Sequence, residues 1–139
     1  MNQTSVPITK ERCTSQGCST AEKFYDSVDK GDFIWNPNTS IGYAKEAVDT
    51  YLAEGDVDNA LAILDFVATT GYNKVQTGDI REFSLKRAQI LNQTDQLSEA
   101  LKETFRAYKN GGRVHALQLG AQVYEKMAKQ ADRERTRLK

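Results

Sequence analysis

The sequence predicts an all-α protein built from short antiparallel helical hairpins, and three observations lead there. Apolar residues recur at i, i+3, i+4 and i+7 in segment after segment. No segment alternates apolar and polar residues with a period of two, and β-branched runs are scarce. Gly31, Gly55, Gly71 and the pair Gly111-Gly112 fall where the apolar segments should stop.

Residues 1–18 lack hydrophobic periodicity and are dense in Thr, Ser and Gln, so they read as a flexible arm. The arm holds both cysteines, Cys13 and Cys18, at a spacing wider than a zinc knuckle uses. With one histidine in the chain to complete a ligand set, two free thiols are the expectation, with a local disulfide between them as the alternative. The first helix is expected over about residues 20–30, opened by a Ser19/Glu22 capping box and burying Phe24 and Val28. Residues 32–40 read as a turn that packs Phe33 and Trp35 on the body, because Pro37 bars a continuous helix.

From about residue 41 to 53 a second helix sets Ala44, Ala47, Val48 and Tyr51 on one stripe. Asp56 caps a third, which buries Val57, Ala60, Leu61, Leu64 and Val67. Thr77 or Asp79 starts a fourth, with Ile80, Phe83, Ala88 and Leu91 inside. Asp95 starts a fifth that buries Leu97, Ala100, Leu101, Phe105 and Tyr108. The last begins near Arg113, buries Val114, Leu117, Ala121, Tyr124 and Ala128, and ends in a charged stretch over 132–139 that should protrude. Residues 19–139 are expected to form a single domain.

Composition narrows the function classes. Among 139 residues, 39% are hydrophobic and 27% charged, which separates the chain from disordered and collagen-like sequences. Nineteen basic residues balance nineteen acidic ones, which excludes a uniformly basic nucleic-acid binder. The balance is uneven along the chain. Residues 1–60 hold five basic and ten acidic side chains, a net of −5; residues 61–139 hold 14 and 9, a net of +5. No window approaches the roughly 18 apolar residues of a membrane helix, and the first ten residues lack a signal-peptide core. A cytoplasmic, intracellular protein without a membrane partner is the expectation. No phosphate-binding glycine loop, nucleophile elbow or His-Glu metal motif occurs, so neither an enzyme nor a cofactor or metal site is expected.

An internal period then emerges. Tyr51 is followed nine residues later by Ala60, and Leu91 nine residues later by Ala100. Tyr124 stands 33 residues beyond Leu91. In Tyr51-Leu-Ala-Glu-Gly-Asp-Val-Asp-Asn-Ala60-Leu61 and Leu91-Asn-Gln-Thr-Asp-Gln-Leu-Ser-Glu-Ala100-Leu101 the chain resembles the tetratricopeptide repeat family over about residues 41–128. It departs from that family in three ways. The first interval is 40 residues rather than 34, the closing proline is absent, and Ala44, Ser84 and Leu117 stand where a large aromatic is usual.

The resemblance implies a right-handed superhelix of stacked hairpins whose first helices line a groove for a protein partner. Its groove positions here are Lys45, Asp49 and Leu52; Glu82, Leu85, Gln89 and Gln93; and His115, Gln118, Gln122 and Lys126. Asp49 and Gln89 stand where a carboxylate clamp needs Asn, so recognition of a partner's terminal carboxylate is not expected. His115 has no nucleophile or carboxylate at a telling spacing and reads as a surface residue. A scaffold or adaptor without catalytic activity is the first expectation. A second is contact with nucleic-acid phosphates through the basic tail, Arg133, Arg135, Arg137 and Lys139. A third is homo-oligomeric self-assembly of acidic and basic halves.

Overall fold

The structure, a computed structural model, describes residues 15–31, 37–69 and 75–138. Within them all regular structure is helical: α1 (Gln16–Asp29), α2 (Pro37–Ala53), α3 (Val57–Thr69), α4 (Thr77–Gln93), α5 (Leu97–Lys109) and α6 (Arg113–Leu138). Cys13 and the rest of the arm before Ser15, Phe33, Trp35, Gly71 and Lys139 lie outside the described residues. The chain divides into two compact units, the first ending at Gln76 and the second beginning at Thr77.

The turns explain why the helices stop where they do. After α2, the Gly55 N–H donates to the Leu52 carbonyl (3.0 Å) and the Asp56 N–H reaches back to that of Tyr51 (2.8 Å). After α4, Asp95 donates to Asn92 (3.2 Å) and Gln96 to Leu91 (2.8 Å). After α5, Gly111 donates to Tyr108 (3.2 Å) and Gly112 to Ala107 (2.9 Å). All three are Schellman closures, which need one residue in the left-handed region. Gly55 (φ 78°) and Gly111 (φ 101°) supply it without strain, whereas α4 uses Asp95 (φ 62°). Asp56 caps α3 as expected, accepting from the Asn59 N–H at 3.2 Å. The expected start at Asp95 moves by one residue, because Asp95 is spent on the turn and Gln96 is the N-cap of α5.

Two boundaries differ from the sequence expectation for local reasons. Ser15, not Ser19, caps α1: its hydroxyl accepts from the Cys18 N–H at 3.0 Å, so the helix starts four residues early. Cys18 therefore sits inside α1, 6% exposed and disulfide-bonded, rather than as a free thiol on an arm. Pro37 opens α2 instead of sitting in a turn, since the first helical position needs no amide hydrogen.

In the first unit α2 packs on α1 and on α3. Phe24 lies 5.2 Å from the Tyr25 ring and 5.6 Å, edge-on, from that of Phe66 on α3. Ser27 and Ser40 share a buried hydrogen bond of 2.8 Å that ties α1 to α2. At the start of α1 the Gly17 N–H donates to Glu54 Oε2 at 3.2 Å. Gly17 has to lack a side chain, because a Cβ there would stand 2.5 Å from Tyr51 Cδ1.

The Tyr25 and Tyr51 hydroxyls are buried and meet no hydrogen-bond partner among the described residues. Burial pushes the Tyr51 phenol up to about 12, with the Asp56 and Glu54 carboxylates adding to the shift. Burial, and then the neighbouring Tyr51, drives Tyr25 upward as well. In the unfolded chain both titrate near pH ~10. Below that pH both states keep the proton and the phenols confer no pH dependence. As pH rises from about 10 toward 12, the unfolded chain releases its protons first, and stability falls. Thermal melts should therefore weaken across that window. Tyr51→Phe should flatten the decline at little cost near neutral pH, since it removes an unpartnered hydroxyl. An unchanged alkaline slope in the variant would refute this account.

The second unit is built on α5, which packs against α4 and α6. Its core is Phe83, Ala88, Ile90 and Leu91 from α4, Leu97, Ala100 and Ala107 from α5, and Ala116, Leu119 and Val123 from α6. Glu103 is buried among them, 2% exposed, and accepts from Arg87 Nη1 (2.7 Å) and Arg106 Nε (2.8 Å). The expected burial of Phe105, Tyr108, Val114, Leu117, Ala121, Tyr124 and Ala128 is overturned, since all of them are exposed. In the structure α6 instead buries the stripe of Ala116, Leu119, Gly120 and Val123.

Candidate functional site

The groove positions on α4 and α6 meet. Leu85, Gln89 and Gln93 on α4 face His115, Gln118 and Gln122 on α6 across a cleft of about 380 Å³, with Leu119 as its buried floor. The register follows from helix geometry: 85, 89 and 93 repeat every fourth residue on α4, as 118 and 122 do on α6. Four of the seven lining side chains are primary amides, so the walls offer hydrogen-bond donors and acceptors over an apolar base. No carboxylate or ammonium group lines the cleft. Such a surface is suited to peptide N–H and C=O groups, which need both functions, and it gives no acid/base pair for chemistry.

Two other assigned residues turn away from it. Glu82 is held by Lys86 at 2.9 Å, an i,i+4 ion pair on α4. Lys126 donates to the Asn92 carbonyl and reaches Asp95 Oδ1 at 3.2 Å, which fastens α6 to the left-handed turn after α4. Its role here is structural. Lys45, Asp49 and Leu52 lie on α2 in the first unit, Asp49 exposed and the other two half-buried.

In the tail, Arg135 pairs with Asp132 and Arg137 with Glu134 along the helix. These arginines hold acidic neighbours on their own helix, and Arg133, Arg135 and Arg137 are all exposed. Among the described residues no cluster of three or more His, Cys, Asp or Glu side chains gathers to hold a metal ion. None of the described helices is long and apolar enough to cross a membrane.

Sequence reasoning missed two features of this unit. One is the buried Glu103 with its two arginines, for which the only signal was the Glu103/Arg106 spacing of three. The other is an apolar trough of about 480 Å³ between α5 and α6, lined by Leu101, Phe105, Tyr108, Leu117 and Tyr124 among others. Comparison with known proteins adds no relative: no protein-family model, no curated protein and no solved structure matches the chain.

Proposed function

We propose that this chain is a non-catalytic interaction module, a scaffold or adaptor that holds an extended protein segment in the α4–α6 cleft. The observation that supports the reading is the convergence of Leu85, Gln89, Gln93, His115, Gln118 and Gln122 on one open cleft. Glutamine amides along both walls pair with the partner's backbone, while Leu85 and Leu119 take an apolar side chain. The Tyr51/Ala60 and Leu91/Ala100 pairs, each nine residues apart and buried on both helices of a hairpin, support reading α2–α3 and α4–α5 as tetratricopeptide-like repeats.

A displayed library of random short peptides, panned on the full chain, tests the proposal. Enriched peptides should bind with micromolar affinity, and Gln89→Ala with Gln122→Ala should weaken them about tenfold. Both glutamines are exposed, so the fold should survive the change. Peptides that bind the double variant as well as the original chain would place recognition elsewhere.

A further inference from the structure

Helix α6 carries two apolar stripes, and the fold uses one of them. Ala116, Leu119, Gly120 and Val123 are buried. The other stripe runs through Val114, Leu117, Ala121, Tyr124, Ala128 and Ala131 in alternating steps of three and four residues. That is the heptad spacing of a helix that pairs with another helix. All six are exposed, and Val114, Leu117 and Tyr124 keep 66%, 64% and 54% of their surface in water. The α5–α6 trough lies alongside, with Phe105 (52% exposed) and Tyr108 (42%) on its far wall. It is a different surface from the amide-lined cleft.

We propose that this trough is filled by α6 of a second copy of the chain, in an antiparallel two-fold pair. The stripe reads alike from both ends about a centre between residues 122 and 123. Position 121 falls opposite 124, 117 opposite 128, and 114 opposite 131. A two-fold axis there seats Tyr124 against Ala121 of the second copy and Leu117 against its Ala128. The chain already contains the arrangement this completes. Tyr51 and Leu91 are 1% and 2% exposed, and each is followed nine residues later by a fully buried alanine on a return helix, Ala60 or Ala100. Tyr124 has no return helix, because α6 runs unbroken to Leu138. Ala121 of the second copy supplies the missing small residue.

Charge selects the antiparallel sense. The positions flanking the stripe in the second half of α6 include Asp132 and Glu134, exposed acids that also bridge to Arg135 and Arg137 along the helix. At the other end Arg113 lies over the Tyr108 ring, 5.8 Å from its centroid, and Lys109 follows Tyr108 in sequence. Antiparallel pairing sets the second copy's acids beside these cations, whereas parallel pairing sets acid on acid. Glu125 falls near the axis and brings its own cation, Lys129, at 3.9 Å. Covering five half-exposed large side chains removes roughly 100 Å² apiece. Doubled across the axis this is about 1,000 Å², the lower bound of a specific interface.

Sedimentation equilibrium of the full chain at low and high salt tests the proposal. A dimer at micromolar concentration is expected, strongest at low salt. Leu117→Asp and Tyr124→Asp should each weaken it about tenfold or more with unchanged helicity, since both side chains are exposed. Glu134→Lys should weaken it several-fold at low salt, and adding Arg113→Glu to the same chain should restore it. A chain that stays monomeric at high concentration overturns the proposal, including one that takes another protein's helix in the trough. So does a dimer that keeps its affinity in both aspartate variants, or a charge swap that restores nothing.

Discussion

Phe24→Ala should destabilise the chain by about 4 kcal/mol, the middle of the range for emptying a buried aromatic site. Phe24 is 0% exposed, and its ring is in contact with two others, Tyr25 and Phe66. Truncation removes both aromatic contacts and leaves a cavity between α1 and α3. Collapse is hindered there, because the Ser27–Ser40 bond and the close approach of Gly17 to Tyr51 hold α1 against α2. The thermal midpoint followed by ellipticity should fall by roughly 15 °C. Phe24→Leu retains most of the apolar volume and should cost about 1 kcal/mol. Equal losses in the two variants would mean that the cavity is not the cause.

Glu103→Ala should be nearly as damaging, at about 3 kcal/mol, for an electrostatic reason. The carboxylate is buried between Arg87, whose side chain is 16% exposed, and Arg106, which is 48% exposed. Removing the acid takes from the largely buried Arg87 guanidinium its 2.7 Å carboxylate partner in the α4–α5 interface. Most of the cost should therefore disappear in the double variant Glu103→Ala/Arg87→Ala, and a double-mutant cycle measures that coupling. Because Glu103 is buried, added salt should leave the loss almost unchanged. Additive single losses would show that the pair does not act as a unit.

The six helices were legible because each segment combines a helical apolar period with a stop residue. Gly55 and Gly111 announce their turns, since the Schellman closure needs a positive φ that glycine adopts freely. Asp95 gives no such announcement: an aspartate before an apolar period reads as a cap, whereas this one occupies the left-handed turn. The start of α1 was obscured because two serines four residues apart both offer caps, and only the nearby acid Glu22 favoured the wrong one. On α6 the pattern misled for a deeper reason. The helix has a stripe of larger apolar residues and a stripe of smaller ones, and sequence reasoning assigns the larger to the core. Packing chose the stripe of Ala116, Leu119, Gly120 and Val123, where a Cβ added at Gly120 would meet Thr104 Cγ2 on α5 at an ordinary 3.5 Å.

The candidate site was readable to the extent that it depends on register. The faces of α4 and α6 that repeat every fourth residue do come together. Lys126 continues the α6 face but belongs to a turn, and its partner, a main-chain carbonyl at Asn92, carries no signature in the side-chain sequence.

The turn between α5 and α6 has a chemical consequence. Asn110-Gly111 is the dipeptide most prone to spontaneous loss of the asparagine amide, a reaction in which the glycine nitrogen attacks the side-chain carbonyl to close a succinimide ring. Here the Gly111 N–H is tied to the Tyr108 carbonyl and the Asn110 amide donates to that of Arg106 at 2.8 Å. The Gly111 nitrogen has to give up its hydrogen bond, and the Asn110 side chain its own, before the ring can close. The folded turn thus protects its own weakest bond from ageing, and conversion to isoaspartate at this position becomes a covalent record of how often the α5–α6 junction opens.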